Sequence, residues 1–210
     1  MRKFELTSET KVAFGRTLYR IRALISFGNV EAGELGGWIE QEENLNQYGD
    51  AWVSGDAWVF GDARVFGDAR VSGNARVSGD AWVFGDARVS GNAWVYENAW
   101  VYENAWVSGD AWVFGDARVS GNAQVSGIGA IFWVSAVGSR NDTVTFFACK
   151  DKKIRVVTGC FFGDLEEFAA KVQATHGDNT HAKVYRLAIE MAKERIQIPD
   201  ALTEDNNDED

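Results

Sequence analysis

The sequence predicts a mainly β chain wound into a parallel β-helix solenoid, and three observations carry that prediction. First, thirteen hexads run without insertion from Asp50 to Gly127, each reading Asp or Asn, then Ala, then Trp, Arg or Gln, then Val, then Ser, Phe or Tyr, then Gly or Glu. Second, Ala and Val alternate with large or polar residues, the period-two signature of a strand with one buried face. Third, the chain has 22 glycines, nine tryptophans and one proline in 210 residues, a composition that fits regular corners and repeated outward aromatics. Gly with Asp or Asn supplies a turn every sixth residue, where positive φ is tolerated.

A four-residue strand has no stability alone. Three per coil, each paired with the coils above and below at about 4.8 Å, close a prism whose interior fills with Val and Ala. Stacking at eighteen residues lets the outer surface be written down. The first face carries Ser54, Ser72, Ser90, Ser108 and Ser126 beside Trp52, Arg70, Arg88, Trp106 and Gln124. The second carries Phe60, Ser78, Tyr96 and Phe114 beside Trp58, Arg76, Trp94 and Trp112; the third carries Phe66, Phe84, Tyr102 and Ser120 beside Arg64, Trp82, Trp100 and Arg118. Two faces are therefore aromatic outside, through ladders that favour strand pairing and cation–π contact and that also have the composition of interfaces.

The flanks read as caps on the open coil edges. Residues 1–49 hold the β-like runs KFEL, KVAF and TLYRIRALISF, then GELGGWIE, where Trp38 and Ile39 open a degenerate first coil with Leu45 six residues later. Residues 128–197 form an α+β module. It consists of IFWVSAV, a turn GSRND, TVTFFAC, a Lys-rich turn and IRVVTGCFF, followed by a helix opening at Gly163-Asp164 and another after Asp178. Asp164 with Glu167 matches a capping box, and Phe168, Val172, Val184, Leu187, Ala188 and Met191 fall at helical spacing as the expected packed face. Residues 198–210 form an acidic tail expected to be disordered.

Val53 with Ala57, Val59 with Ala63 and their successors resemble the hexapeptide-repeat proteins that fold as a left-handed parallel β-helix. That resemblance implies an acyltransferase, commonly trimeric, with a histidine base in the coils and an acyl carrier between subunits. Residues 50–127 contain no histidine, so the resemblance extends to the fold and stops before the site. The KFELT start, GGWIE before the hexads, and GSRND, GCFFGDLEEF and THGDN after them are similar to a group of phage and prophage hexapeptide-repeat proteins. What that likeness implies is an accessory protein acting on a bacterial host, for example by occupying a defence protein.

A net charge of −10 argues against nucleic-acid backbones and anionic membranes as direct partners. Two cysteines make no disulfide framework, and the start lacks the apolar run of a signal peptide, so a cytoplasmic setting is expected. The corner columns Asp50, Asp68, Asp86 and Asp62, Asp80 lack the glycine-rich calcium nonapeptide. With Asn92, Asn98, Asn104 and Asn122 they read as hydrogen-bonded turn ladders. Neither metal nor cofactor is expected, and no catalytic residue is assigned. Cys149, Cys160, His176 and His181 lack paired metal-ligand spacing, and a thiolate nucleophile would need a cysteine to meet a histidine in space.

The leading expectation is a non-catalytic binding protein, self-associating as a dimer or trimer and engaging a host protein or small molecule. Its candidate binding residues are Trp58, Phe60, Arg76, Trp94, Tyr96, Trp112 and Phe114 on the second face, Trp82, Trp100 and Tyr102 on the third, Arg140 in the GSRND turn, and His176. Alternatives are an acyltransferase using His176 or His181 and an acidic mimic of nucleic acid.

Overall fold

The computed structural model describes residues 2–198, so the acidic tail beyond Ile198 lies outside the described residues. The chain begins with β1 (Phe4–Ala13), β2 (Arg16–Ala23) and β3 (Leu35–Ile39). One strand per hexad follows, β4 to β16, from Trp52–Val53 to Gln124–Val125. The C-terminal module contains β17 (Ile131–Val137), β18 (Asp142–Ala148), β19 (Ile154–Thr158), β20 (Phe161–Asp164), α1 (Leu165–His176) and α2 (Thr180–Arg195).

The hexads form three parallel stacks in which each strand pairs with those three hexads away, as Trp94–Val95 does with Arg76–Val77 below and Trp112–Val113 above. Every Ala and every Val of the thirteen hexads is buried, and the outer residues are at least partly exposed apart from Trp52 and Ser120. The strands are two residues long where four were expected. The corner takes back the flanking positions, although their amides still bond between coils, as Ser54 N–H does to Val71 C=O at 2.9 Å.

These bonds run both ways across each junction. Trp52 N–H donates to Ala69 C=O, Arg70 to Ala87 and Arg88 to Ala105, each within 2.8–3.0 Å, and the parallel pairing of Val53 with Val71 brings donors from the following coil back as well. The first and last coils therefore each expose N–H and C=O groups that must be satisfied. At the N-terminal end, Trp38 N–H bonds Ala57 C=O, Glu40 bonds Val59 and Asn46 bonds Val65. Side chains supply the rest: Asn44 Nδ2 donates to Gly61 and Ala63 C=O, each at 2.9 Å, and Lys3 Nζ donates to Ala51 C=O at 2.8 Å and Gly49 C=O at 3.1 Å. At the other end, Arg118 N–H finds Thr145 Oγ1 of β18 at 3.1 Å.

Positive φ at the corners falls mainly on glycine. Gly85, at φ 71°, faces the next coil so closely that a Cβ there would sit 2.9 Å from the Glu103 nitrogen. Two corners use Glu97 and Glu103 at φ 59°, and their carboxylates accept from Gly115 N–H at 2.9 Å and Gly121 N–H at 2.7 Å. An unfavourable backbone conformation is thus offset by a charge-assisted bond to the next coil.

The C-terminal sheet is an antiparallel meander, β17-β18-β19-β20, with both helices packed on it. The expected third strand divides at Gly159-Cys160 into β19 and β20. Asp164 caps α1 through Glu166 and Glu167 N–H, with Glu167 reciprocating, and these amide donors lower the Asp164 pKa. The expected packed face of α2 is only partly right. Ala182, Ala188, Ile189 and Ala192 are buried, whereas Val184, Leu187 and Met191 are exposed, and the helix packs against β17 and α1.

Two outcomes test this account. Gly85→Ala should cost about 1–2 kcal/mol in urea unfolding, since it combines left-handed backbone strain with a clash against Glu103. Burial lowers the Lys3 pKa from 10.5 to about 8. The unfolded chain then holds that proton more tightly, so the Lys3 contribution is flat below pH 8 and becomes more favourable between pH 8 and 10.5. Lys3→Met should be destabilised by about 1–3 kcal/mol at pH 7. It should also lack the upward slope in stability above pH 8.

Candidate functional site

The three outer faces meet different fates. The first stays mostly polar. Trp52 lies under Phe27, edge-on at 5.4 Å, while Trp106 is held between the Arg88 guanidinium at 4.9 Å and the Lys150 ammonium at 3.6 Å.

The chain's own hairpin contacts the N-terminal half of the second face. Shifts in register between Leu6 and Thr10 and between Arg20 and Arg22 bend the β1–β2 hairpin. Its tip residue Phe14 then reaches the rings of Trp58, Phe60 and Trp94 at 5.7–6.3 Å. Lys11 sits 3.9 Å from the Trp38 ring and 5.1 Å from that of Trp58, and Arg76 lies between Trp58 and Trp94 at 4.7 and 4.8 Å. Trp58, Phe60 and Arg76, candidates for outward binding, therefore touch the chain's own hairpin while staying partly exposed. Periodicity missed this because the contact comes from a non-repetitive segment. The buried indole N–H groups of Trp38, Trp52 and Trp58 have no hydrogen-bond partner, so stacking and cation–π contact hold these rings.

Among the described residues, no ring from outside the hexads stacks on the middle coils of the third face. Phe66 stacks on Phe84 at 4.8 Å and Phe84 on Tyr102 at 5.1 Å, while Trp82 stacks on Trp100 at 5.2 Å, all within 6° of parallel. The Arg118 guanidinium closes the indole column at 4.9 Å from Trp100. Because these rings stack along the solenoid axis, their π faces are used within the column. What points outward is a ridge of ring edges, which suits packing against apolar surface better than stacking of sugars or bases.

Beyond the hairpin, the second face runs into the C-terminal module. Trp94 stacks on Trp112 at 5.8 Å, Tyr96 on Phe114 at 4.9 Å, and Phe114 meets Trp133 of β17 edge-on at 4.5 Å. The Tyr96 phenol is pushed up by burial and by Glu97. Between the last coil, β17 and the end of α2 lies a cleft of about 330 Å³, lined by Trp112, Phe114, Ile128, Ile131, Phe132, Trp133 and Arg195. Ile128, Phe132, Trp133 and Arg195 were not singled out in the sequence. Their only signal was the end of the repeat at Gly127, beyond which an aromatic column loses its next ring.

Arg140 and His176 each approach Tyr185. Arg140 lies in the β17–β18 hairpin turn with its guanidinium against Gly159, Gly138 of that turn abuts the Tyr185 hydroxyl, and His176 stacks on Tyr185 at 5.7 Å. Burial raises the Tyr185 pKa. His181 is 5.6 Å from His176, and neither histidine lines the cleft. Cys149 follows β18 and is buried, with its thiol pushed up to about 12, whereas Cys160 is exposed in the β19–β20 turn at the opposite end of β19. Burial in an apolar setting suppresses thiolate chemistry at Cys149.

At the corners, Asn74 Nδ2 donates to Asn92 Oδ1 at 3.2 Å and Asn92 to Asp110 at 3.1 Å, a ladder between coils. No three His, Cys, Asp or Glu side chains converge as a metal site among the described residues. Nor is any helix among them long and apolar enough to cross a membrane.

A family model described as YdcK beta solenoid repeat matches residues 69–85, 83–97, 87–103 and 111–127. No curated protein matches the chain. The matched repeats and the stacked coils make this a repeat β-solenoid protein. With Ellman's reagent under native conditions, Cys160 should react readily and Cys149 only after unfolding. Equal reactivity of both thiols in the folded chain would contradict the burial of Cys149.

Proposed function

We propose that this chain is a non-catalytic binding protein whose third solenoid face makes protein contacts, the first of them with further copies of itself in a dimer or trimer. One observation carries the reading. Phe66, Phe84 and Tyr102 beside Trp82 and Trp100 form a continuous ridge of partly exposed aromatic edges, while the equivalent second face is half occupied by the chain's own hairpin. A rigid ladder of this kind loses little side-chain freedom on docking. Arg118 caps the indole column and Arg64 pairs in register with Trp82, and Arg, Trp and Tyr are the residues that dominate binding energy at protein interfaces.

The motif likeness to phage hexapeptide-repeat proteins supports a role as an accessory protein directed at a bacterial host protein, acting in the host cytoplasm. Arg140 and His176 mark a second, polar contact area around Tyr185. The acyltransferase alternative would require His176 or His181 to act as base away from the cleft, and release of free thiol from acetyl-CoA is the measurement that would revive it.

Light scattering at micromolar concentration should give the mass of two or three chains. Trp82→Arg/Phe84→Ser turns that hexad into DARVSG, a unit the solenoid already contains, so folding should persist while the mass falls to that of one chain. A single-chain mass for the unaltered protein would refute self-association.

A further inference from the structure

We propose that the cleft at the C-terminal end of the second face is a binding site for a small planar aromatic molecule carrying an acidic group, its ring stacked on Trp112 and its acid on Arg195. The argument begins with the ladders. Trp58 lies beside Lys11 and Arg76, Trp94 between Arg76 and Trp112, Trp100 between Trp82 and Arg118, and Trp106 between Arg88 and Lys150. Trp112 has Trp94 on one side and, among the described residues, no aromatic or cationic partner on the other. It is also the most exposed indole of the solenoid, at 48%.

The repeat ends above it. The residue one coil further on is Ala130, in a short 3-10 turn that leads the chain away into β17, so the next ring of the column is missing. Ring spacings in the ladders are close to 5 Å, and a flat ligand would continue the column at that spacing. Phe114, Phe132 and Trp133 wall the space with apolar surface, and the cleft volume of about 330 Å³ is at the small end of ligand sites, suited to one or two fused rings.

Arg195 sets the charge. It is the one ionisable residue lining the cleft, and it makes no ion pair or hydrogen bond among the described residues. A ligand cation would meet it unfavourably. A carboxylate, sulfonate or phosphate would accept its planar fork of donors.

The test uses the full chain titrated with 8-anilinonaphthalene-1-sulfonate and with uncharged N-phenyl-1-naphthylamine, read by probe fluorescence. Both should bind one saturable site per chain. Trp112→Ala should weaken both by about tenfold, and Arg195→Met should weaken the sulfonate by about tenfold while leaving the uncharged probe within about twofold. Ile128→Glu, on the exposed rim, should repel the sulfonate selectively and serves if Trp112→Ala does not fold. Trp100→Ala, on the third face, should change neither titration. Absent or unsaturable binding, single-site binding indifferent to Trp112 and Ile128, or equal loss of both probes in Arg195→Met would overturn the proposal.

Discussion

Coil-to-coil hydrogen bonding is the constraint from which the rest of this molecule follows. Each strand is only two residues long, so no strand holds its place except through the strands above and below it. Both ends of the stack expose backbone donors and acceptors, and each flank supplies partners for both. The N-terminal segment brings donors from Lys3, Asn44 and the backbone of residues 38–46, and the Glu40 carboxylate accepts from Gly61 N–H. The C-terminal module brings the Thr145 hydroxyl to Arg118 N–H and its Lys150 N–H to Asn122 C=O.

The same translation between coils governs the surface. It places identical positions about 5 Å apart, close enough for rings to stack and for guanidinium groups to lie over indoles. A ring within a column has spent both π faces on its neighbours, leaving its edge for solvent or a protein surface. A ring at the end of a column has one face left over. The third face and the Trp112 cleft are therefore different kinds of surface made by one repeat, an edge ridge along the length of the solenoid and an open π face at its end.

The non-repetitive segments decide which of these surfaces remains available. The hairpin tip at Phe14 occupies the N-terminal half of the second face, and β17 with the end of α2 turns its C-terminal half into a walled cleft. In the C-terminal module, Ala182, Ala188, Ile189 and Ala192 of α2 face inward and Val184, Leu187 and Met191 outward, and the inward alanines permit close approach of the helix.

By itself the sequence determined the solenoid, its eighteen-residue stacking, the buried Ala and Val columns, the composition of each face and the capping box at Asp164, since each depends on residues a fixed, short distance apart in an unbroken repeat. Only the tertiary structure decided that Trp58, Phe60 and Arg76 touch a hairpin tip, that Arg140 and His176 both approach Tyr185 while the two cysteines lie at opposite ends of a strand, and that Arg195 and Trp112 line one cleft. These outcomes depend on how single-copy segments fold back across the coils. Such long-range packing leaves no periodic trace in the chain.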